Sequence, residues 1–319
     1  MLSLNDIAGV ADDLEIDKNL IEKEYPPMVP GRVAHIDADF LAYMASYERK
    51  DEDIAFEDII HRVNVMVKDK RMEAGAEFAV LHLTPNTSDK GGRYEVAIQK
   101  QYQGQRTSDD KPRHLEAART YMGTLTGNVR GRPWDNAEAD DGMAEAAWQA
   151  WRNDTADQVV IVTKDKDLRM CPGWHLNWDT GNLTKEDTLF GFMGIKETIK
   201  VHKVTGKQTV SKKPIGFGTA FFWMQMLMGD TADHIQGCPK IMNKKGDKLV
   251  SCGQVGAYDL LVAATSDKEC LRIVMDAYKL TENYTHYLTG DIASWQDVFW
   301  SNAQMLWMQR TPGDINDVK

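Results

Sequence analysis

The carboxylates of this chain gather in four short clusters, three of them closing a run of apolar residues and one opening a helix. Asp37 and Asp39 follow RVAHI. Glu138, Asp140 and Asp141 sit in AEADDGMAEAA, Asp165 and Asp167 follow QVVIVT, and Asp230 and Asp233 follow FFWMQMLMG. Each cluster alone has an ordinary explanation. An acid after a strand makes an Asx turn, acids in a first helical turn suit the dipole, and a glycine that ends a helix leaves solvated acids behind it. Together they say more. Nine carboxylates aimed at one place repel each other, and hard divalent cations with oxygen ligands relieve that cost. Two Mg²⁺ ions, or Mn²⁺ in their place, activate a water and balance charge on the departing oxygen of a phosphodiester, which is the chemistry this set suits.

Acids on separate segments meet only if the elements that carry them end at a common edge. RVAHID reads as a short apolar strand, followed by a helix from about Phe40 to Tyr47 and an amphipathic helix from Phe56 to Met72. Glu77 to Leu83 is a second buried strand. Residues 84–112 are polar and without period, long for a structureless loop and so assigned a function. Pro112 opens a helix to about Leu125, a short strand covers Thr126 to Val129, and Asp135 or Asn136 caps a helix that runs to Trp151. Gln158 to Thr163 and Trp174 to Trp178 are further strands. Strands alternating with helices predict an α/β fold whose mainly parallel sheet is covered on both faces, with the acids at the carboxyl edge where such sheets bind ligands. Residues 1–30 read as a helical lead-in ending at prolines, 31–215 as the α/β domain, and 216–319 as a helical region, the boundary lying near 180–215. Phe221 to Met228, Trp300, Trp307 and Met308 read as core, as does His35, placed on the strand face opposite Asp37.

At 319 residues, 42% hydrophobic and 27% charged, the chain supports a full core. No apolar run approaches the ~20 residues that cross a bilayer, so no membrane partner is expected. A net charge of −10 is unusual for a protein that grips nucleic acid. Setting eight of the 48 carboxylates aside as metal ligands, however, leaves 40 acids against 38 bases. The bases also cluster, as Arg106, Lys111 and Arg113, as Lys196 to Lys213, and as Lys240 to Lys248. Four cysteines without a pairing pattern suit a reducing compartment.

The ordered motifs HIDADFLAY, YQGQR, AEADD, VTKDKDL and MGDTADHIQG resemble those of flap endonucleases and of the 5′ nuclease domain of bacterial DNA polymerase I, above all the 5′→3′ exonucleases of short-tailed coliphages. The likeness spans about 32 to 265. It implies a PIN-like α/β fold, a helical arch over the active site within about 84–125, and a helix–three-turn–helix element in the C-terminal part. It also implies Asp37, Glu138 and Asp140 at a first metal, Asp165 and Asp167 with Asp230 or Asp233 at a second, and Asp141 as an outer acid. Asp39 is matched in the phage branch without a ligand role. Tyr102 and Arg106 would engage the substrate, Tyr102 by stacking on a base, helped by Lys111 and Arg113. Gly237, Lys240, Gly253 and Gly256 would present backbone amides and charge to duplex phosphates, around a turn that holds a monovalent cation in such proteins. The implied substrate is DNA with 5′ ends or flaps, with RNA–DNA hybrid as a further substrate and replication proteins as conceivable partners. The implied setting is the cytoplasm, the host's if the chain is phage-encoded.

Three departures stand out. The family's acid after the second strand is replaced by Thr84-Pro85-Asn86, leaving Asp89 as a substitute. The lysine of its basic motif is Gln103, leaving Lys100 or Lys111 to compensate, and a lysine-rich insertion interrupts the Gly-rich turn before Cys252-Gly-Gln-Val-Gly256. Two rival readings therefore remain: a PIN-type ribonuclease, and a junction-binding protein with impaired catalysis.

Overall fold

Parallel strands that are covered on both faces need apolar side chains on both, and the central strands supply them. In the computed structural model, which describes residues 23–48, 53–106, 111–201, 205–243, 245–281 and 283–311, six strands form one sheet. They are β1 (Val29–Asp37), β2 (Ala76–Leu83), β3 (Val129–Pro133), β4 (Val159–Thr163), β5 (Gly173–Asn177) and β6 (Leu183–Glu186), in the order β3-β2-β1-β4-β5-β6. The first five run parallel, and β6 closes one edge antiparallel to β5. Along β4, Val160 and Val162 enter one apolar layer while Ile161 enters the other, as the period of two requires.

One layer lies under α1 (Ala38–Ser46), α2 (Phe56–Glu73) and, after the short α3 (Arg93–Val96), α4 (Leu115–Gly123). Leu41, Ile59, Val63 and Met122 are fully buried there. The other layer lies under α5 (Ala139–Arg152) and continues into the C-terminal helices α6 (Gly218–Met228), α7 (Gln254–Leu261), α8 (Asp267–Tyr278) and α9 (Trp295–Leu306). Gly142 permits α5 to sit where it does, because a Cβ at that position would meet the Trp134 ring at 2.1 Å. Among the described residues no helix is long and apolar enough to cross a membrane.

The sheet and most helices fall where the sequence placed them, with four differences. The cap of α5 is Glu138, so Asp135 and Asn136 stay in the preceding loop. The third strand occupies 129–133 rather than 126–129. The supposed boundary region holds a long antiparallel ribbon, β7 (Phe192–Val201) with β8 (Gln208–Phe217). Its outer half is exposed on both faces, the apolar Ile199, Val201 and Val210 included. Finally, the region after Phe217 is not wholly helical. β9 (Lys240–Met242) pairs with β10 (Leu249–Ser251), and β11 (Tyr284–Thr285) with β12 (Ile292–Ala293). Most of the helical lead-in, 1–22, lies outside the described residues, and 23–28 have no regular structure.

Candidate active site

The chain leaves β1 toward β2 on one side and reaches β4 on the other. A parallel sheet opens a crevice beyond its carboxyl edge where the strand order diverges in this way. That crevice is a cavity of about 720 Å³. Seven carboxylates line it, those of Asp37, Asp39, Glu138, Asp140, Asp165, Asp167 and Asp233, against four cationic side chains, Lys90, Arg106, Lys111 and Arg119.

Local hydrogen bonding explains how the acids reach it. Asp37 ends β1 and caps α1, its Oδ1 accepting from the Phe40 amide at 3.0 Å, while its Oδ2 accepts from Thr163 Oγ1 at 3.0 Å and so ties β1 to β4. Burial pushes its carboxyl up to about 6, and the Asp39 charge adds to the rise. After β4 the chain turns on itself. The Asp165 amide donates to Thr163 Oγ1 and the Asp167 amide to Asp165 Oδ1, at 3.0 and 2.8 Å. This Asx turn presents both acids on one side. Burial lifts Asp165 to about 6, against the restraining bond from the Asp167 amide. Asp167 is lifted to about 8, by burial and then by the Asp165 charge, although Gln225 Nε2 donates to it at 2.6 Å and Lys166 Nζ lies 3.2 Å away.

Asp140 is the most exacting member. It projects from the first turn of α5 and has neither a hydrogen bond nor a counter-ion among the described residues. Burial, followed by the charges of Asp165, Asp37 and Glu138, holds its carboxyl well above the usual range. A set of hard oxygens that retain protons for want of positive charge has the donor chemistry that Mg²⁺ or Mn²⁺ takes. Among the described residues no three His, Cys, Asp or Glu side chains are gathered tightly enough to hold an ion as they stand. Ligation therefore requires carboxylates to turn inward, which their mutual repulsion now opposes.

Behind Asp140 the charges are arranged differently. Arg93, fully buried, donates from both terminal nitrogens to Asp141 at 2.7 and 2.8 Å, and also to the carbonyls of Met305 and Trp307. Asp141 further accepts from the amides of Gln309 and Glu138, and the Arg93 guanidinium holds its carboxyl below the usual range despite burial. Asp141 does not line the cavity; expected as an outer acid, it sits behind Glu138 and anchors Arg93. Glu138 faces forward. Tyr102 Oη donates to it at 2.9 Å, Arg93 lies at 3.2 Å and Lys90 Nζ at 3.6 Å.

The same contacts correct the reading of Tyr102. Its ring is 2% exposed and packs edge-on against Tyr94, leaving no face on which a base could stack. It positions Glu138. Nor does the described part of 84–112 stand apart as a loose arch. Gln103 and Gln105 bond to Asp233, Thr231 and Ala232, and Ala97 and Tyr102 enter the core.

Of the last acidic pair, Asp233 enters the cavity and Asp230 does not. Asp230 is buried against Lys166, Gln225 and the Ala232 amide. Asp233 Oδ1 accepts from Arg106 at 2.7 Å and from Gln103 at 3.0 Å. Arg106 and Lys111 are exposed at the cavity mouth. Arg113 instead pairs with Asp53 on the surface, away from the cavity. Gly237, Lys240, Gly253 and Gly256 lie apart from the acids. Gly237 forms a turn packed on Gly229, Lys240 starts β9, Gly253 caps α7, and Gly256 lets α7 close onto Ile241. The β9–β10 ribbon is the form the lysine-rich insertion takes between α6 and α7.

Two residues, Lys90 and Arg93, escaped sequence reasoning, and the place of Asp39 did too. Lys90 reaches the acids, bonding Gln103 Oε1 and lying near Glu138, where Lys100 and Lys111 were proposed as substitutes. The signal was the Gly-Gly pair after it, since Lys90, Gly91 and Gly92 all adopt positive φ. Asp89 caps this turn and does not line the cavity. The carboxylate at the end of β2 comes instead from Asp39, whose Oδ2 accepts from the Thr84 amide at 2.9 Å and whose Oδ1 lies 3.1 Å from Arg119. Arg93 left no trace in the sequence, because a lone arginine in a polar stretch reads as solvated. His35 is buried as expected but shares the Asp37 face of β1, two residues away, and bonds His82 at 2.9 Å.

No family model matches this chain, and no curated protein does. Among solved structures, it is similar to the bacteriophage T5 D15 flap endonuclease as a pseudo-enzyme–product complex with DNA and metal ions, at 14% identity and a TM-score of 0.49, covering 90% of this chain and 91% of that one. It is likewise similar to the T5 D15 protein co-crystallised with metal ions, at 13% identity and a TM-score of 0.47, covering 90% and 92%.

Proposed function

We propose that this protein is a divalent-metal-dependent nuclease that hydrolyses phosphodiesters near the 5′ ends or flaps of DNA. One observation carries the reading: seven carboxylates from separate segments share one cavity with only four cations, two of them exposed at its mouth. An acidic floor beneath a basic rim suits a phosphate that arrives with bridging cations. The 5′ preference rests on the ordered motifs, YQGQR and MGDTADHIQG above all.

In this reading Asp37, Glu138 and Asp140 hold one ion and Asp165, Asp167 and Asp233 the other. Such ions, when bound, supply charge compensation for the phosphate and lower the pKa of water. The chain's own groups do the rest. Arg106 and Lys111 draw in the phosphate, and Tyr102 keeps Glu138 in one orientation. Lys90 brings its ammonium to the position that Gln103 leaves uncharged, and Asp39 stands in for the acid absent after β2. Preorganised charge of this kind acts without rearrangement when the transition state forms.

The catalytically impaired reading draws on Gln103, and the ribonuclease reading on the scaffold alone. Product lengths from matched 5′-labelled DNA and RNA flaps, with Mg²⁺ or with EDTA, separate all three. The expected result is DNA cleavage that EDTA abolishes. Cleavage of RNA alone, or binding without product, overturns it.

A further inference from the structure

The β7–β8 ribbon has two unlike faces. Cross-strand partners share a face and successive residues alternate. One face carries Met193, Ile195 and Glu197 opposite Gly216, Pro214 and Lys212. Its root packs inward, with Met193 and Ile195 against the core; farther out Glu197 pairs with Lys212 at 2.7 Å, and Ile199, Val201 and Val210 are exposed. The other face reads Lys196 opposite Lys213, Thr198 opposite Ser211 and Lys200 opposite Thr209, with no carboxylate. Like charges directly opposite one another destabilise a sheet, and none of the three lysines has a counter-ion among the described residues.

The root of that face touches the active site. Phe217, paired with Phe192, lines a second hollow of about 240 Å³ together with Lys164, Arg169 and Asp165. Asp165 also lines the catalytic cavity, so the two hollows adjoin at its side chain. The Arg169 guanidinium lies over the Phe217 ring, 5.7 Å from its centroid. Lys164, paired to Asp179 at 3.0 Å, and Arg169 thus lie between the acids and the lysines of the ribbon. At about 3.4 Å per residue, Lys213 lies ~14 Å and the Lys200–Thr209 pair ~27 Å beyond Phe217. At 3.4 Å per base pair this spans about 4 to 8 base pairs.

We propose that this lysine, serine and threonine face is a duplex-DNA contact that grips the substrate's phosphates about 4 to 8 base pairs beyond Phe217, on the side away from the cleavage point. The proposal rests on the DNA-nuclease reading and adds a site to it. Its serine and threonine hydroxyls and mobile ammonium groups suit phosphates and carry no base code.

The test uses the full chain with Lys196, Lys200 and Lys213 all changed to Ala, and a second variant with all three changed to Arg. Binding is measured in EDTA to 5′-flapped hairpins with stems of about 4 and about 14 base pairs, over a range of salt. The Ala variant should bind the long stem at least about tenfold more weakly, with the slope of log K against log salt reduced by about 2 to 3. It should match the parent protein on the short stem and keep its kcat at saturating substrate, while the Arg variant behaves like the parent. Equal salt slopes for the Ala variant and the parent on the long stem overturn the ribbon contact. If the parent itself neither binds nor cleaves the flaps, the nuclease reading fails, and the ribbon proposal with it.

Discussion

Asp140 and Asp141 are neighbours in one turn of α5, yet they belong to opposite kinds of site. Asp141 has a bidentate arginine and two backbone amides, and its charge is satisfied. Asp140 has no such partner among the described residues, and the acids around it raise its hold on a proton. The clamp behind the cleft spends buried charge on joining α5, the 84–106 segment and the C-terminal end of α9. The cleft leaves Asp37, Asp140 and Asp165 without an ion pair among the described residues. Carboxylate density alone therefore does not mark function. What marks it is a carboxylate such as Asp140, set among other acids with no ion pair of its own among the described residues.

The sharpest way to break the comparison is to neutralise each kind of site in turn. Asp140→Asn or Asp165→Asn should lower turnover on a 5′ flap on the order of 10³-fold, the scale of lost electrostatic stabilisation at a reacting centre. Binding in EDTA should stay unchanged. Near-parental turnover in both variants would remove the metal assignment.

Arg93→Met should act on stability instead, costing about 3–5 kcal/mol in urea titrations because it strands a buried carboxylate. The double variant Arg93→Met/Asp141→Leu should recover much of that loss and retain cleavage, since exchanging both partners of a buried pair for apolar groups is often neutral. A double variant that folds but has lost cleavage would move Asp141 into the active site. A smaller effect is expected at the boundary between the regions. Lys90→Met should reduce turnover by about 10²-fold, and Lys90→Arg should restore part of it.

The sequence exposed the acid-bearing edges because strands and caps are local. Apolar alternation delivers Asp37 and Asp165, and a helical first turn delivers Glu138 and Asp140. Which acid is satisfied depends on partners far along the chain. Arg93 meets Asp141 from another segment, and Lys166, not the solvent, neutralises Asp230. Spacing carries no information about such pairings. The same limit hid Asp39 at the end of β2 and led to the opposite-face placement of His35, where a period of two already argued otherwise. The ribbon was missed for a different reason: Met193, Ile195, Ile199 and Val201 do alternate with Gly194, Lys196, Thr198 and Lys200, but Glu197 interrupts the apolar face and lysines crowd the other.

The comparison also fixes a pH dependence. Asp37 and Asp165 are raised to about 6 and Asp167 to about 8, against about 3.9 for an aspartate in an unfolded chain. The folded state thus binds more protons than the unfolded state across that window, so metal-free stability falls as pH rises from about 4 through 8. Urea titrations in EDTA should show this fall, and Asp165→Asn should make it shallower.

The most direct test is the melting midpoint at pH 8 as Mg²⁺ is added to the parent protein and to Asp140→Asn. A ligand that binds only the folded state stabilises it progressively above its Kd. The parent should therefore start low and rise with Mg²⁺, whereas Asp140→Asn should start higher and respond little. A parent protein indifferent to Mg²⁺, or an Asp140→Asn variant that melts lower and still responds fully, would contradict the claim that Asp140, without an ion pair among the described residues, helps to hold cations.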